Sequence, residues 1–375
     1  MRLHDLASPA AVVDLDVLER NCAVMRERAR VLGVALRPHV KTHKSVEIAR
    51  LQVGDGPARV TVSTLAEAAW FAAAGFDDLT WAVPVPVPRI DQALDVAASV
   101  GRLNVLLDHE DARVALDRAA RGRNARVPVF LKVDCGYHRA GVDPQADDSV
   151  ALARRIADSK GLELAGVLTH GGHGYDCRDR DAIAVVAAEE RDVTAGFAVR
   201  LRDAGIEVPV VSVGSTPTCA VVDHLDGVDE IRPGNYALFD LYQAAIGACS
   251  VEDVALSVLG TVIGCYPERG AIVLDTGGTA LSHDPGPRHV DPDCGYGLVV
   301  PVEGGAAARI VSLSQEHAKV TVGEDRARAF SIGDRVRVLP NHACMAAGMF
   351  DRYHVVRGDD IVDVWRPAKY WSPRP

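Results

Sequence analysis

The stretch RPHVKTHK, from Arg37 to Lys44, closes an apolar run that begins at Val34 and puts Lys41 where a β-strand would stop. Lysine is strongly hydrated and rarely buried without a partner, so a lysine at the mouth of an apolar strand has a chemical task or an ion-pair partner. The chemical task would be a Schiff base with an aldehyde, which needs an amine desolvated enough to lose its proton. The alternative is a salt bridge at the strand end.

Around this stretch, from about residue 34 to residue 246, apolar β-rich runs alternate with amphipathic, helix-like segments. Continuous apolar strands separated by helices indicate a parallel sheet that is covered on its faces. The predicted strands are Val34–Lys41, Arg59–Ser63, Leu79–Pro84, Leu103–Asp108, Val127–Asp134, Leu162–His170, Val208–Ser215 and Asp229–Arg232. The predicted helices include Leu18–Leu32, Leu65–Ala74, Arg89–Ala98 and Ala182–Leu201. Eight such strands predict an α/β fold, a closed (β/α)8 TIM barrel, with a doubly wound open sheet as the alternative.

Near residue 250 the pattern changes to short strands that are separated by glycine-rich or proline-rich turns. These strands are predicted at Val254–Ile263, Ala271–Asp275, Gly297–Val302, Ala308–Ser312, Lys319–Val322, Arg335–Leu339 and Ile361–Val364. No long helical period intervenes, which indicates a mostly antiparallel β domain. We therefore predict a barrel domain over residues 8–250 and a β domain over residues 251–375, which also includes the extreme N-terminus.

Composition and charge exclude several classes of protein. A chain of 375 residues can bury a large core, and its net charge of −10 without any basic run argues against a nucleic-acid or anionic-membrane partner. The N-terminus lacks the apolar stretch of a signal peptide, and no apolar run approaches the roughly 18 residues of a membrane span. The eight cysteines are scattered without a C-x-x-C pair, which favours reduced thiols and a cytoplasmic location.

Polar residues accumulate where the predicted barrel strands end, which is where α/β barrels carry their functional groups. Any one of these residues is weak support for a site, but their joint placement is what an active-site rim requires. The polar positions at strand ends are His39, Lys41, Ser63, Thr64, Cys135 to Arg139, Thr169, His170, Gly214 to Thr216, and Arg232 to Tyr236.

Two of these strand ends are suited to a phosphate group. Gly214-Ser215-Thr216 offers backbone N–H groups and hydroxyls, and Gly234-Asn235 offers small backbone that can approach an anion closely. They follow the seventh and eighth strands, which form the usual phosphate-binding corner of such barrels. Ordinary turn chemistry is the alternative, because the same residue types are common in turns.

His342-Ala343-Cys344 follows an apolar strand in the predicted β domain. In an extended backbone, residues two apart project to the same face, so the imidazole and the thiolate could meet one ion. Histidine with cysteine favours zinc, with manganese or cobalt as alternatives. Only two ligands are supplied locally, which leaves positions for water or substrate. The alternative is a buried cysteine beside a hydrogen-bonding histidine.

Over nearly its whole length the sequence resembles the fold-type III pyridoxal-phosphate enzymes of the D-serine dehydratase and D-threonine aldolase group, distant relatives of alanine racemase. The resemblance rests on eight short motifs that are together highly specific. They are RPHVKTHK at Arg37–Lys44, VSTLAEA at Val62–Ala68, KVDCGYHRAGV at Lys132–Val142, GVLTHGG at Gly166–Gly172, VGSTPT at Val213–Thr218, RPGNY at Arg232–Tyr236, SQEH at Ser314–His317 and PNHAC at Pro340–Cys344.

The resemblance implies a role for each residue of the barrel rim. Lys41, rather than Lys44, would form the internal aldimine with pyridoxal 5'-phosphate. His170 would stack on the pyridine ring, Arg139 would face its phenolic oxygen, and Arg232 would be the partner of the ring nitrogen. The expected phosphate-binding residues and their neighbours are Ser215, Thr216, Gly234, Asn235, Tyr175 and Tyr236.

The resemblance also implies the reaction. His342 and Cys344 look like the zinc ligands of the dehydratase branch, whereas the aldolase branch more often has an aspartate at the second position. We therefore predict a lyase that converts a D-β-hydroxy amino acid such as D-serine or D-threonine to a 2-oxo acid and ammonia. The alternative is a D-threonine aldolase that yields glycine and an aldehyde. An amino-acid racemase, with Tyr296 as a second base, is a further alternative, and a homodimer is expected from the resemblance alone.

Overall fold

A computed structural model describes residues 1–369 of the chain and divides them into two compact units. The barrel unit comprises residues 24–234 and 368–369, and the β unit comprises residues 1–23 and 235–367. The predicted domain bounds, 8–250 and 251–375, stay a prediction. No helix within residues 1–369 is long and apolar enough to span a lipid bilayer.

The strands, numbered along the chain, are β1 Ala10–Asp14, β2 Ala35–Leu36, β3 Arg59–Val62, β4 Asp78–Pro84, β5 Arg102–Leu107, β6 Val127–Lys132, β7 Leu162–Leu168, β8 Val210–Val213, β9 Glu230–Ile231, β10 Leu256–Tyr266, β11 Ala271–Leu274, β12 Leu298–Pro301, β13 Ala308–Leu313, β14 Ala318–Thr321, β15 Arg335–Leu339, β16 Tyr353–Arg357 and β17 Asp360–Trp365. The α-helices are α1 Leu15–Val31, α2 Val46–Val53, α3 Leu65–Ala73, α4 Ile90–Ala97, α5 Glu110–Gly122, α6 Asp147–Ala157, α7 Arg180–Asp203, α8 Thr216–Val221, α9 Leu241–Ala245, α10 Gly278–Leu281, α11 Glu324–Ala329 and α12 Ala343–Gly348.

In the barrel unit, β2 to β9 form one sheet in which the strands from β3 to β9 each pair in parallel with the next strand in sequence, and β9 pairs in parallel with β2. A parallel bridge between His39 and Thr61 joins the continuation of β2 to β3, so the sheet closes on itself. Helices separate most of the strands, as parallel crossovers require. The predicted α/β barrel is therefore confirmed, and the open doubly wound sheet is not formed.

The first barrel strand differs from its prediction over Val34–Lys41, because regular pairing extends only over β2. Pro38 interrupts the ladder, since it has no N–H group to donate. Its carbonyl still accepts a hydrogen bond from the N–H of Thr61, at 2.8 Å, and the chain pairs again at His39. Lys41 consequently lies in the turn that follows this bridge.

A buried ion pair lies among the barrel strands. The Arg37 guanidinium donates to Glu230 at 2.7 Å and to Asp78 at 2.8 Å, and the side chains of Arg37 and Glu230 are only 6% and 4% exposed. Burial alone would lower the pKa of Arg37, but the two carboxylates raise it. Asp78 is 35% exposed, so Glu230 is the carboxylate that depends most on the arginine.

Replacement of Arg37 by methionine is expected to lower the free energy of unfolding by about 3–5 kcal/mol, because it leaves the Glu230 carboxylate buried without its cation. Urea unfolding followed by circular dichroism measures the loss. Arg123→Met is the matched control, since Arg123 pairs with the exposed carboxylates of Asp91 and Asp95, and this substitution is expected to lower the free energy of unfolding much less. Equal losses in the two variants would contradict the special role of the buried pair.

The β unit is built on a nine-stranded sheet in which β10 also pairs with β11, so that β10 to β15 form a closed antiparallel barrel. Its core contains Val258, Val262, Ile272, Leu274, Val299, Ile310, Val320, Val336 and Val338. The N-terminal strand β1 belongs to this sheet, antiparallel to β10 and parallel to β16. Neither β1 nor β16 is predicted from the sequence, whereas each of the seven strands predicted for this unit overlaps an observed strand.

Candidate active site

Lys41 is exposed in the turn after the first barrel strand, and its backbone N–H lies 3.4 Å from Nδ1 of His39. Among residues 1–369, no carboxylate forms an ion pair with its amine. Lys44, the other lysine of the motif, pairs with Glu67 at 3.1 Å. The salt-bridge alternative therefore applies to Lys44, and the Lys41 amine remains available for chemistry.

His170 lies at the centre of a group of cations in the barrel unit. Burial, followed by the surrounding positive charges, holds the pKa of His170 well below its ordinary value, so its imidazole is neutral at pH 7. The side chains that supply this charge are Lys41, Lys132, Arg139 and Arg232. Three of the four were predicted site residues, and the structure thus brings them together around a neutral aromatic ring.

Lys132 is the additional cation, at the end of β6, and it is only 7% exposed. Burial, followed by the charge of Arg232, lowers the pKa of Lys132 to about 8. The Glu190 carboxylate acts in the opposite direction on this lysine. Glu190 lies on α7 and is 1% exposed, and Glu230, which is 3% exposed, acts in the same direction on Arg232, so two buried carboxylates partly balance the cations of the rim.

Arg232 is held from two sides within the barrel. Its guanidinium donates to the hydroxyl of Ser212 and to the carbonyl oxygen of Thr169, at the ends of β8 and β7. The Ser212 hydroxyl donates in turn to Glu230, at 2.7 Å. Because the groups around it are themselves hydrogen-bonded, Arg232 has one defined orientation.

The Tyr137 ring lies beside two of the predicted site residues, His170 and Arg139. Its ring lies 6.2 Å from the ring of His170, edge to face, and the guanidinium of Arg139 lies 5.0 Å from its centre. It also packs against the backbone of Gly172, where a side chain would have no room, because a Cβ there would be 2.3 Å from the tyrosine ring. Tyr175 lies in the same segment, in a half-buried short helical turn over residues 172–176.

The candidate phosphate-binding residues of the barrel unit form one hydrogen-bonded group. Gly214 donates its N–H to Glu190 at 3.0 Å, and the buried side chain of Ser215 hydrogen-bonds within the turn to Thr218. The N–H of Gly234 donates to the hydroxyl of Thr216 at 3.2 Å, so the turns after β8 and β9 are joined.

Glu190 also accepts a hydrogen bond from the N–H of Gly171, which directly follows His170. One carboxylate therefore fixes the turn after β7 and the turn after β8. At Gly214 the backbone has φ +106°, and a Cβ would lie 2.7 Å from the sulfur of Cys219, so only glycine suits this turn.

The remaining two predicted residues of this group, Asn235 and Tyr236, begin the main part of the β unit, and both are buried. The amide nitrogen of Asn235 donates to Asp240 at 2.7 Å and lies 3.8 Å from the sulfur of Cys344. Its amide oxygen, also buried, has no hydrogen-bond partner within residues 1–369. Asn235 is thus close to the proposed metal ligand and keeps one polar atom without a partner.

His342 and Cys344 lie at the start of α12, and their side chains are hydrogen-bonded to each other. His342 is the extended N-cap residue of α12, and Cys344 lies in its first turn. The two side chains therefore meet at the start of a helix, whereas the sequence predicted that they share one face of an extended segment. Burial disfavours the charged imidazole, but hydrogen bonds to Asp284 and Cys344 outweigh it and raise the pKa of His342 to about 11.

Within residues 1–369, there is no group of at least three His, Cys, Asp or Glu side chains that could hold a metal ion. Two carboxylates near His342 already accept hydrogen bonds from other groups or from His342 itself. Asp240 accepts hydrogen bonds from Asn235 and from the N–H of Ala343, and Asp284 accepts from Nδ1 of His342 at 2.9 Å. The assignment of His342 and Cys344 as metal ligands stays a prediction.

Several residues around these groups were not assigned a role from the sequence: Lys132, Tyr137, Glu190, Asp240 and Asp284. Lys132 and Tyr137 fall within the KVDCGYHRAGV motif, so their position could have marked them. Glu190 follows another glutamate in a charged helix and carries no such signal. The SQEH segment is an exposed loop. It is held in part by a hydrogen bond that the Thr279 hydroxyl donates to the Glu316 carboxylate at 2.7 Å.

Two family models match the chain. The model for the alanine racemase N-terminal domain matches residues 13–241, and the model for a putative serine dehydratase domain matches residues 255–356.

The chain is similar over its whole length to D-threo-3-hydroxyaspartate dehydratase from Delftia sp. (strain HT23), with 40% identity over 98% of this chain and 99% of the relative. D-serine dehydratase from Dictyostelium discoideum is 36% identical over 98% of both chains. A solved mutant of D-threo-3-hydroxyaspartate dehydratase, in the metal-free form, superposes with a TM-score of 0.94 at 39% identity, covering 99% of this chain and 100% of that one.

Proposed function

Because the chain belongs to the alanine racemase-like, fold-type III family of pyridoxal-phosphate-dependent enzymes and is a lyase, we propose that it is a metal-dependent dehydratase of D-β-hydroxy amino acids. Its products would be a 2-oxo acid and ammonia. The observation that carries the proposal is the pairing of an imidazole with a thiol at His342 and Cys344, in a chain that also groups cations around His170.

The barrel unit suits pyridoxal phosphate, whose phosphate and phenolic oxygen are anionic. Four cationic side chains surround His170, and the buried carboxylates of Glu190 and Glu230 oppose part of this charge. The residues proposed to hold the cofactor are Lys41 through its amine, His170 at the ring face, Arg139 at the phenolic oxygen, Arg232 at the ring nitrogen, and Ser215, Thr216, Gly234 and Asn235 at the phosphate, with Tyr175 and Tyr236 nearby.

The β unit suits a soft divalent cation. Thiolate and imidazole together favour zinc over magnesium or calcium, which prefer oxygen ligands, and manganese and cobalt are the alternatives. With His342 and Cys344 as the proposed protein ligands among residues 1–369, positions would stay open for water or for the substrate hydroxyl. Metal binding must displace the proton that makes the His342 imidazole cationic. The hydrogen bonds of this imidazole to Asp284 and Cys344 raise its pKa to about 11.

When bound, pyridoxal phosphate delocalises the negative charge that develops at Cα, and the metal ion acts as a Lewis acid on the β-hydroxyl. The protein's own residues position and transfer protons around these groups. The Lys41 amine would accept the Cα proton. Arg232 is a guanidinium, which does not give up its proton, so it would keep the ring nitrogen unprotonated. His170 stays neutral and adds no further charge at the ring face.

Dehydration is favoured over carbon–carbon cleavage by the identity of the second metal ligand. The resemblance places an aspartate more often at this position in aldolases, and here it is Cys344. Relatives of the chain include both dehydratases and aldolases, so the reaction must be decided by the products.

Product analysis tests the proposal directly. Purified enzyme loaded with pyridoxal phosphate and Zn²⁺ is incubated with D-serine, D-threonine and D-threo-3-hydroxyaspartate, and with the L-enantiomers as controls. We expect ammonia and a 2-oxo acid in equal amounts from at least one D-substrate and none from the L-forms. Glycine with an aldehyde would identify an aldolase, and exchange of D-alanine with L-alanine in an optical assay would identify a racemase.

The proposal extends to the setting in which the enzyme works. We propose a cytoplasmic homodimer that binds a small D-amino acid, in line with eight cysteines that form no disulfide within the described chain. The family resemblance supports the dimer. Light scattering after size-exclusion chromatography is expected to give twice the chain mass of 39.9 kDa, and a single-chain mass would contradict the dimer.

A further inference from the structure

One ring nitrogen of His342 is already engaged within the β unit. Its Nδ1 lies 2.9 Å from Oδ2 of Asp284, in the loop before β12. Because an ionised carboxylate can only accept hydrogen bonds, Nδ1 carries the proton in this contact. Nε2 is then the nitrogen whose lone pair is available to a cation once the histidine is neutral.

The Asp284 carboxylate is itself fixed. Its other oxygen accepts a hydrogen bond from the N–H of Gly286 at 2.9 Å, and the backbone N–H of Asp284 donates to the Ser282 hydroxyl at 3.2 Å. The side chains of Asp284 and His342 are 23% and 32% exposed, so their contact is largely shielded from water. A carboxylate held in this way fixes the direction of the ring that donates to it.

The segment that carries His342 is held on both sides as well. Before it, the Asn341 side chain donates to the carbonyl oxygen of Gly295 at 2.9 Å and packs against Gly286, where a Cβ would lie only 2.4 Å from its nitrogen. After it, the N–H of Ala343 donates to Asp240 at 2.8 Å. The loop and the start of α12 thus form one ordered group.

We propose that Asp284 is a positioning residue that orients the His342 imidazole, and sets its tautomer, for a divalent cation. This inference rests on the proposed function, because it takes His342 as a metal ligand. A carboxylate behind a ligating histidine fixes the ring orientation and raises the basicity of the ligating nitrogen, and its loss typically weakens metal binding by about 10- to 100-fold. Asp284 would act through His342 without touching the ion.

The test measures Zn²⁺ affinity of the folded, cofactor-loaded enzyme by competition with a chromophoric chelator. We expect Asp284→Ala to bind Zn²⁺ about 10- to 100-fold more weakly than the wild type. Asp284→Asn, which keeps the size and an acceptor oxygen but loses the charge, is expected to show a smaller loss. Asp291→Asn is the matched control from the same loop, because Asp291 pairs with Arg309 at 2.8 Å, and it is expected to bind like the wild type.

Three outcomes would overturn the inference, and they are distinguishable. Wild-type enzyme that binds no Zn²⁺ would overturn the proposed metal site and this inference with it. Wild-type binding with equal affinity in both folded Asp284 variants would overturn the inference alone, even if their unfolding temperature falls, because it would leave only a stabilising contact. If Asp284→Ala does not fold, as judged by circular dichroism, an unchanged affinity in Asp284→Asn would have the same meaning.

Discussion

Enzyme with alanine in place of Lys41 is expected to lose the yellow, borohydride-reducible absorbance of covalently linked pyridoxal phosphate. Its lyase activity is expected to fall by about 10²- to 10⁴-fold. The change removes both the amine that would bind the cofactor aldehyde and the base that would take the Cα proton, and positioned proton transfer alone contributes about that factor. Absorbance spectra before and after borohydride reduction, together with a turnover assay on D-serine, measure the two effects.

Lys44→Ala is the control for this prediction, because Lys44 belongs to the same motif but is paired with Glu67. It is expected to keep the reducible absorbance. Retention of that absorbance in Lys41→Ala would contradict the assignment and move the covalent link to another lysine. Lys132 would then be the first candidate, since its buried amine has a pKa of about 8.

Removal of the metal is the second change with a large expected effect. Chelation is expected to lower the rate of product formation from D-serine or D-threo-3-hydroxyaspartate on the order of 10³-fold, because Lewis-acid stabilisation of a departing hydroxyl is worth several kcal/mol and each 1.36 kcal/mol is a factor of ten. Added Zn²⁺ should restore the rate. The cofactor absorbance should persist throughout, because Lys41 and the metal ligands belong to different units of the chain.

A cysteine substitution separates this effect from a general effect of the chelator. Cys344→Ala is expected to be slow from the start and insensitive to chelation. Cys265→Ala, at another half-buried thiol of the β unit, should respond to chelation and to Zn²⁺ like the wild type. Full activity of the chelated wild-type enzyme on all three D-substrates would contradict the metal role.

Much of the fold follows from local sequence features. The alternation of apolar runs and amphipathic segments identifies all eight barrel strands, because the hydrophobic periodicity of a strand or a helix depends only on residues that are close in sequence. The prediction of β2 was too long because pattern alone does not show that Pro38 breaks regular pairing. Strand β1 was missed, because it is stabilised by pairing with two strands that are distant in sequence. Strand β16 was also missed, although it pairs with its sequence neighbour β17.

The candidate site was predicted unevenly. Residues at strand ends, such as Lys41 and His170, could be named from the sequence because the carboxyl ends of parallel strands meet at one rim. Their roles in binding the cofactor stay predictions. The buried partner Glu190 could not be named, since nothing in a charged helix marks which of two adjacent glutamates turns inward to accept from the backbone of two separate turns.

The sequence alone determined the class of the fold, the motifs and the kinds of donor available, because these depend on residue type and on spacing along the chain. Only the tertiary structure decided which partner each donor has. Asp284 and His342 are 58 residues apart and meet through one hydrogen bond. Such a contact depends on the path of the folded chain, and hydrophobic periodicity, which reports only whether a residue faces the core, does not encode it.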